Sequence, residues 1–527
     1  MDSSKIKIII VAVFATFAAL YLGIAAATAQ LEAIGWVLGT LTFVICLLLG
    51  RRIWLLLPFL GSLQLTLMIP GTPTTPLVGQ VLVIGFTVLL ILTRKIPLQL
   101  RFTELEWWAI LLSMCVVQVY LRNPVGLSLF GDEKVGGRPY ILFGIAATTA
   151  FILCALRVPP GELKVAFRLS IIGGILNFAV GLTGWLFPSL GRWLGVATTT
   201  GESNTEEGIM EDKGNVTQLA FIVHVPILLA KIVSSFVNPI RACFSIRWAP
   251  LVLLSFAFAG ASGYRNVIGA VGLTYLVGLY YRGRLISVFA AGLLGVLALS
   301  LLAIVNVATP LPPNIQRALA FLPGTWEERY ILNTKNSTDW RVEMWKEALL
   351  TDRWIQNKIL GDGLGFSAKE LQYQAQLKAA KAGSGIGMSG LDLDREYTMV
   401  NGDYHSGPVS AIRTIGYLGL SVMAFAQIRL AFHAHRLVVR CRGTEWYPIA
   451  LFFCIPIIWN PIFFWLIFGG FQIDSVLLLM GIGMIRLLET NIPLPAYIHT
   501  NSKPYILTGN QSTSIRPSTA RIPAGSN

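Results

Sequence analysis

A few histidines and arginines are the groups in this 527-residue chain best suited to move a proton or hold an anion. His405 stands where a long polar segment meets the start of an apolar run. Imidazole titrates near neutral pH and accepts a hydroxyl proton, so His405 is either a general base or a surface histidine bonded to a helix start. Arg265 closes Gly260-Ala-Ser-Gly263-Tyr264-Arg265 between two apolar runs. A guanidinium at that depth either faces a cavity or partner, or snorkels to the headgroups. The small residues before it would let a ligand or another helix approach closely. Arg341 is either a solvated helix residue or a second guanidinium for the same anion. Two arginine forks match pyrophosphate oxygens bidentately, which makes an anion site that needs no metal.

Other candidates read more plainly. Gly361-Asp-Gly363-Leu-Gly365 has neither the preceding strand nor the following Lys-Ser/Thr of a phosphate loop, so it reads as a turn. Asp392-Leu-Asp394-Arg-Glu396 alternates carboxylates but lacks a full calcium-loop pattern. Neither a metal nor another cofactor is expected. His224 falls inside an apolar run and reads as a hydrogen-bonded residue of a bundle. His433 and His435 lie at the far end of a span, and His499 lies in the tail.

The elements that must position these groups follow from composition. The chain is 54% hydrophobic and 13% charged, with a mean hydropathy of +0.65. A soluble domain carries about 25% charged residues, so this chain lacks the polar surface water requires. A net charge of +14 could suggest nucleic acid, but the charges sit in short clusters between apolar runs, so no nucleic-acid partner is expected. The six cysteines fall in apolar runs or inner loops, and no disulfide framework is expected.

A hydrocarbon core about 30 Å thick takes ~20 residues of apolar helix. Fourteen runs qualify as candidate spans, at 6–29, 31–49, 53–69, 77–93, 107–121, 140–156, 167–187, 216–237, 249–260, 266–281, 285–305, 408–432, 447–467 and 471–488. Lys and Arg crowd alternate loops, at Lys5 and Lys7, Arg51 and Arg52, Arg94 and Lys95, Lys231 and Arg241, Arg282 and Arg284, and Arg436 to Arg442. By the positive-inside rule both termini are cytoplasmic. The expectation is an all-α integral membrane protein, a polytopic bundle with one large extracytoplasmic loop. Its parts are a transmembrane bundle (1–305), the loop (306–407), C-terminal transmembrane helices (408–488) and a Ser/Thr/Pro-rich disordered cytoplasmic tail (489–527).

Within the loop, Thr338 or Asp339 can cap a helix through Leu349 whose face carries Arg341, Trp345 and Ala348. A polar, exposed helix is expected at 366–381, and a flexible stretch from Gly383 to Gly390.

In this order the residues resemble the bacterial O-antigen ligase and O-antigen polymerase superfamily. The resemblance covers about 250–432. It rests on Ser262-Gly-Tyr-Arg265 opening a span, on Arg341 followed by Trp345 and Ala348, on Ile359-Leu-Gly361-Asp-Gly363-Leu-Gly365-Phe366, and on a histidine before a span followed by Gly416-Tyr-Leu-Gly419. It implies a GT-C-like helical bundle in the bacterial inner membrane that moves a glycan from an undecaprenyl pyrophosphate donor to a glycan or lipid acceptor. In that reading His405 activates the acceptor hydroxyl while Arg265 and Arg341 hold the pyrophosphate. The chain departs from the family where Ser406 replaces a frequent Asn, and in having more spans than the twelve usual for ligases. A transporter or flippase of lipid-linked oligosaccharide is the alternative, although transporters place ionisable groups near the midplane. A membrane scaffold without an active site is a third reading.

Overall fold

The computed structural model describes residues 31–67, 72–93, 101–126, 136–187, 196–198, 209–212, 215–283, 285–366, 368–381, 390–402 and 404–493. The span expected at 6–29, the stretch 382–389 and the tail from 494 lie outside these residues. Helices α1 to α6 are Leu31–Leu49, Leu56–Leu63, Thr75–Leu92, Glu104–Arg122, Arg138–Ala155 and Pro160–Leu186. Helices α7 to α11 are His224–Phe236, Pro239–Cys243, Ala249–Ala261, Arg265–Arg282 and Leu285–Ala308. Helices α12 to α15, Pro313–Leu319, Glu328–Leu350, Ala368–Lys381 and Gly390–Asn401, form the polar insertion. Helices α16 to α18, Gly407–Cys441, Tyr447–Leu466 and Phe471–Asn491, close the chain. Two short antiparallel ribbons, Leu65–Leu67 with Val196–Thr198 and Ile209–Asp212 with Asn215–Leu219, complete the structure.

This is a helical membrane protein. Nine helical runs among the described residues are long and apolar enough to cross a bilayer. Lipid offers no hydrogen bonds, so such segments must satisfy their backbone internally, as helices do. The difference from the expected fourteen has identifiable sources. The runs at 31–49 and 53–69 join through a 3-10 turn at Gly50–Leu55, and Gly39–Leu63 counts once. Helices α7 and α9 are shorter apolar pieces, and α10 is not among the nine. Lys231, counted from sequence as a loop charge, lies within α7 with its ammonium 4.1 Å from the Phe452 ring centroid.

Helix α16 is the longest at 35 residues. At 1.5 Å per residue it extends roughly 50 Å, more than the hydrocarbon core requires. It does not run unbroken, because Gly416 has φ 71° and ψ 179°, a combination open essentially to glycine alone. An intact helix would bond Tyr417 N–H to Arg413 C=O and Leu418 N–H to Thr414 C=O. Instead the segment 358–363 inserts its own backbone. Tyr417 and Leu418 donate to Lys358 and Ile359 carbonyls at 2.8 and 3.1 Å, while Asp362 and Gly363 donate to the Arg413 and Thr414 carbonyls at 2.7 and 3.2 Å. A Cβ on Gly361 would fall 2.5 Å from the Thr414 carbonyl oxygen.

Side chains seal the other side of this joint. The Leu360 carbonyl accepts from Gln118 Nε2 at 2.9 Å and Arg122 Nη2 at 3.1 Å, and the Asp362 carbonyl accepts from Asn123 Nδ2 at 2.8 Å. Asp362 turns its carboxylate back onto Gln356 N–H and Asn357 N–H, at 2.7 and 2.8 Å. The glycine-rich segment is therefore a turn, as its sequence indicated, and it locks the polar insertion to α4 and α16 at one end of the bundle.

The opposite end is fastened by charge. Glu106 is fully buried, accepts from Thr103 N–H at 2.9 Å to cap α4, and accepts from Arg486 Nε at 2.7 Å. Arg486 also reaches Glu489 at 2.9 Å, and Glu489 bonds His433 Nδ1 at 2.9 Å. Arg429 pairs with Glu104 alongside. Groups buried together in this way ionise only because each charge has its partner.

Gly416→Ala should cost about 1–3 kcal/mol through φ and ψ alone. A Cβ there would also fall 2.2 Å from the Ile359 carbonyl oxygen. A lower thermal unfolding midpoint in detergent, with new proteolysis within Asn357–Gly363, is the expected result. Wild-type stability and protection would show that the joint is not needed.

Candidate functional site

The turn between α9 and α10 places Arg265. Gly263 takes φ 73°, the Ser262 hydroxyl caps back onto the Ala259 carbonyl at 2.7 Å, and Leu219 N–H bonds the Ser262 carbonyl at 3.0 Å. Helix α12 lies across this turn. Asn314 Nδ2 donates to the Ala261 carbonyl at 2.9 Å, and Arg265 Nε donates to the Arg317 carbonyl at 3.4 Å. Behind them Leu319, Ala320, Trp326 and Tyr330 pack with Ile268 of α10. The apolar cluster thus fixes the first part of the insertion to the helix that Arg265 begins.

Arg317 and Arg341 both lie close enough to Arg265 for like-charge repulsion to be felt. The structure therefore brings together the two arginines singled out from sequence and adds a third. Arg317 was missed because its only sequence signal is one basic residue in the last turn of a short, proline-led helix. Burial pushes the Arg341 guanidinium below the ordinary arginine pKa, and its Nε has no hydrogen-bond acceptor among the described residues. Arginine still stays protonated at any physiological pH, so this is a concentration of fixed positive charge.

Helix α13 carries Arg341, and it starts at Glu328 rather than at the expected cap, Thr338 or Asp339. Tertiary contacts decide the start, since Tyr330 is buried in the apolar cluster and Glu327 N–H bonds the Gln316 side chain at 3.3 Å. The shared face read from sequence is present. Ala348 is fully buried, and Trp345 Nε1 donates to the Tyr404 carbonyl at 2.6 Å.

That last bond fixes the residue before His405. His405 is partly exposed and adopts φ 48°, a left-handed conformation that costs a residue with a Cβ roughly 1–2 kcal/mol. Tyr404, fully buried, and the start of α16 hold the strained residue from both sides. The imidazole lies between two aromatic rings, Phe468 stacked at 5.5 Å and Trp340 tilted at 6.3 Å between centroids. Phe468 belongs to the turn between α17 and α18, which Asp474 braces by accepting from Gly470 N–H at 2.9 Å. Strain of this kind persists where the surroundings over-determine a residue, as at ligand and reaction sites.

The rest of the insertion supports this turn. Helices α14 and α15 pack through Leu377, Ala380, Leu393 and Val400, so the helix expected to be exposed buries one face. Its apolar positions are too few to announce a core, and they gain a partner only from α15, which the sequence did not reveal. Glu396 accepts from Arg353 at 2.8 Å and from Tyr373 at 2.9 Å, and Arg395 reaches Glu347 at 2.9 Å. The carboxylates around 392–396 therefore include structural ion-pair partners. Arg413 of α16 bonds Glu370 at 2.8 Å, with its guanidinium against Gly402.

The remaining histidines serve elsewhere. His433 belongs to the charged network at the far end, and His435 Nδ1 pairs with the Tyr281 hydroxyl at 2.8 Å. His224 begins α7, within the apolar helical stretch Ala220–Phe236. Neither a protein-family model nor a curated protein sequence matches the chain. Its function must be argued from a group of arginines around Arg265 and a strained, aromatic-flanked histidine, linked by helix α13.

The backbone at His405 gives a direct check. His405→Gly removes the left-handed penalty and should unfold no earlier than wild type, whereas His405→Val should unfold at a lower temperature. Thermal unfolding of the purified protein in detergent measures both, and a destabilised glycine variant would contradict the assigned conformation.

Proposed function

We propose that the protein is a membrane glycosyltransferase that moves a glycan from a polyprenyl (undecaprenyl) pyrophosphate donor to an acceptor sugar in surface or exopolysaccharide assembly. It would be an enzyme of O-antigen ligase or polymerase type. The observation that carries the reading is the placement of Arg317 and Arg341 within electrostatic reach of Arg265, with Arg341 on the helix whose Trp345 bonds the residue before His405. A diphosphate at a membrane surface needs several fixed cations, and an attacking hydroxyl needs a base. Both occur at the end of the bundle that carries the polar insertion.

In the proposed reaction the neutral His405 imidazole takes the proton of the acceptor hydroxyl as that oxygen bonds to the anomeric carbon. The bond from the anomeric carbon to the pyrophosphate oxygen breaks, and the electron pair leaves with the polyprenyl pyrophosphate. Negative charge grows on the leaving group, where preorganised guanidinium groups stabilise the transition state most. The arginines fill the role of a cation, so no metal or nucleotide takes part.

In this reading the chain is a GT-C-like bundle of about fourteen spans in the bacterial inner membrane, with the loop 306–407 outside and both termini cytoplasmic. The basic clusters of alternate short loops support that orientation. A lipid-linked donor then reaches the site by diffusing in the outer leaflet.

Orientation is checked with a reporter active only outside the cytoplasm. It should work when fused near residue 380 and stay silent near residue 440, and the reverse pattern would sink the proposal.

Activity is tested in a purified transfer assay. His405→Ala should insert normally yet lose about 10²–10⁴-fold in rate. Arg265→Lys keeps the charge without the fork and should retain part of the activity, with Arg265→Ala and Arg341→Ala retaining far less. The double alanine variant should be little worse than the poorer single variant if both hold one leaving group. Transfer should persist with a chelator. Wild-type rates in the His405 and single arginine variants, or strict metal dependence, would overturn the mechanism. In cells lacking the protein, a single repeat left attached marks a polymerase, and full-length polymer stranded on the carrier marks a ligase.

A further inference from the structure

We propose that Trp340 is the stacking platform for the acceptor's sugar ring, an assignment that rests on the transfer reaction proposed above. The starting point is the surroundings of His405. Phe468 lies nearly parallel to the imidazole, at 29° between planes, and so covers one of its faces. Trp340 stands inclined at 43° with its centroid 6.3 Å away. All three residues are partly exposed, and indole and phenyl rings border the histidine.

The chemistry of those faces selects the ligand. An aromatic ring carries negative charge on its face, which attracts C–H groups and repels an anion. A pyranose has one face rich in C–H and a rim of hydroxyls, so it can lie on the indole while a hydroxyl points at the imidazole. The pyrophosphate is drawn the other way, toward the guanidinium groups.

Helix geometry separates the two halves of the reaction. Consecutive residues on an α-helix point about 100° apart. Trp340 and Arg341 therefore leave one turn of α13 in different directions, Trp340 beside His405 while Arg341 lies within electrostatic reach of Arg265. The sugar that touches the ring beside the base is the one that gives up a proton, which makes it the acceptor. The donor's sugar is fixed through its pyrophosphate on the arginine side.

The experiment uses the full-length protein in nanodiscs with two readouts. In the transfer assay, Trp340→Leu should raise the KM for the acceptor about tenfold, the scale of one aromatic contact. The KM for the lipid-linked donor should stay at its wild-type value, and Trp340→Phe should restore most of the loss. In the second readout, saturation-transfer NMR with methyl glycosides of a hexose, a 6-deoxyhexose and an N-acetylated aminosugar should show at least one bound by wild type and by His405→Ala. That signal should vanish in Trp340→Leu.

An unchanged acceptor KM in Trp340→Leu, or a rise confined to the donor KM, overturns the platform and leaves the transferase reading standing. Binding lost with Trp340 in a protein that transfers nothing supports a sugar site here while removing the transferase reading. Equal saturation transfer in wild type and Trp340→Leu refutes the platform whatever the enzyme does.

Discussion

The exchange of backbone hydrogen bonds at Gly416 is the constraint on which the rest of this end of the molecule depends. A helix crossing apolar surroundings cannot open without stranding donors and acceptors, and each stranded group costs on the order of several kcal/mol. Here the two helical bonds lost at the break are replaced by four, made to the backbone of residues 358–363. The same exchange ties a polar insertion to α16, whose first residues follow His405 directly. Position of His405, shape of the insertion and integrity of the helix are thus one problem with one solution.

Around that joint the insertion behaves as a clamp with two arms. One arm, α12 and the start of α13, is fastened to α10 by the cluster of Leu319, Ala320, Trp326 and Tyr330. The other, α14 and α15, is fastened to α16 through Glu370 and Arg413. Helix α13 bridges them, which lets a single helix present Arg341 and Trp345 on one face and Trp340 on another. In the proposed reaction this bridge sets the separation between leaving group and base, the quantity that positioning must hold most tightly.

The far end is organised on a different principle. Glu104, Glu106, Arg429, His433, Arg486 and Glu489 join α4, α16 and α18 by complementary charge. Because α16 reaches both ends of the bundle, its start and its end are fixed independently. Helix α11 contrasts with this, since it is largely exposed and touches the insertion through Leu299 and Ala303, at the apolar cluster, and Asn306, whose side chain donates to the Thr325 carbonyl at 2.6 Å. It acts as a tether between the bundle and the insertion.

The sequence by itself determined the solvent. Apolar runs of the length of a bilayer, with few charges, permit only helices, and the polar insertion stood out by contrast. It also made Arg265 and His405 visible, because a guanidinium or imidazole at the edge of an apolar run is costly enough to need a reason, and Arg341 visible through the face it shares with Trp345 and Ala348 on a loop helix. The glycines of 361–365 were legible as a turn, but Gly416 was not legible as a break in α16, nor the two as halves of one joint, since backbone pairing between distant segments leaves no side-chain pattern to read. Arg317, the start of α13 at Glu328 and the strained φ of His405 belong to the tertiary structure alone. Each is set by contacts across many residues of chain, with the apolar cluster deciding where α13 begins and the Trp345 bond to the Tyr404 carbonyl holding the turn. Local propensity carries no information about partners that only folding brings within reach.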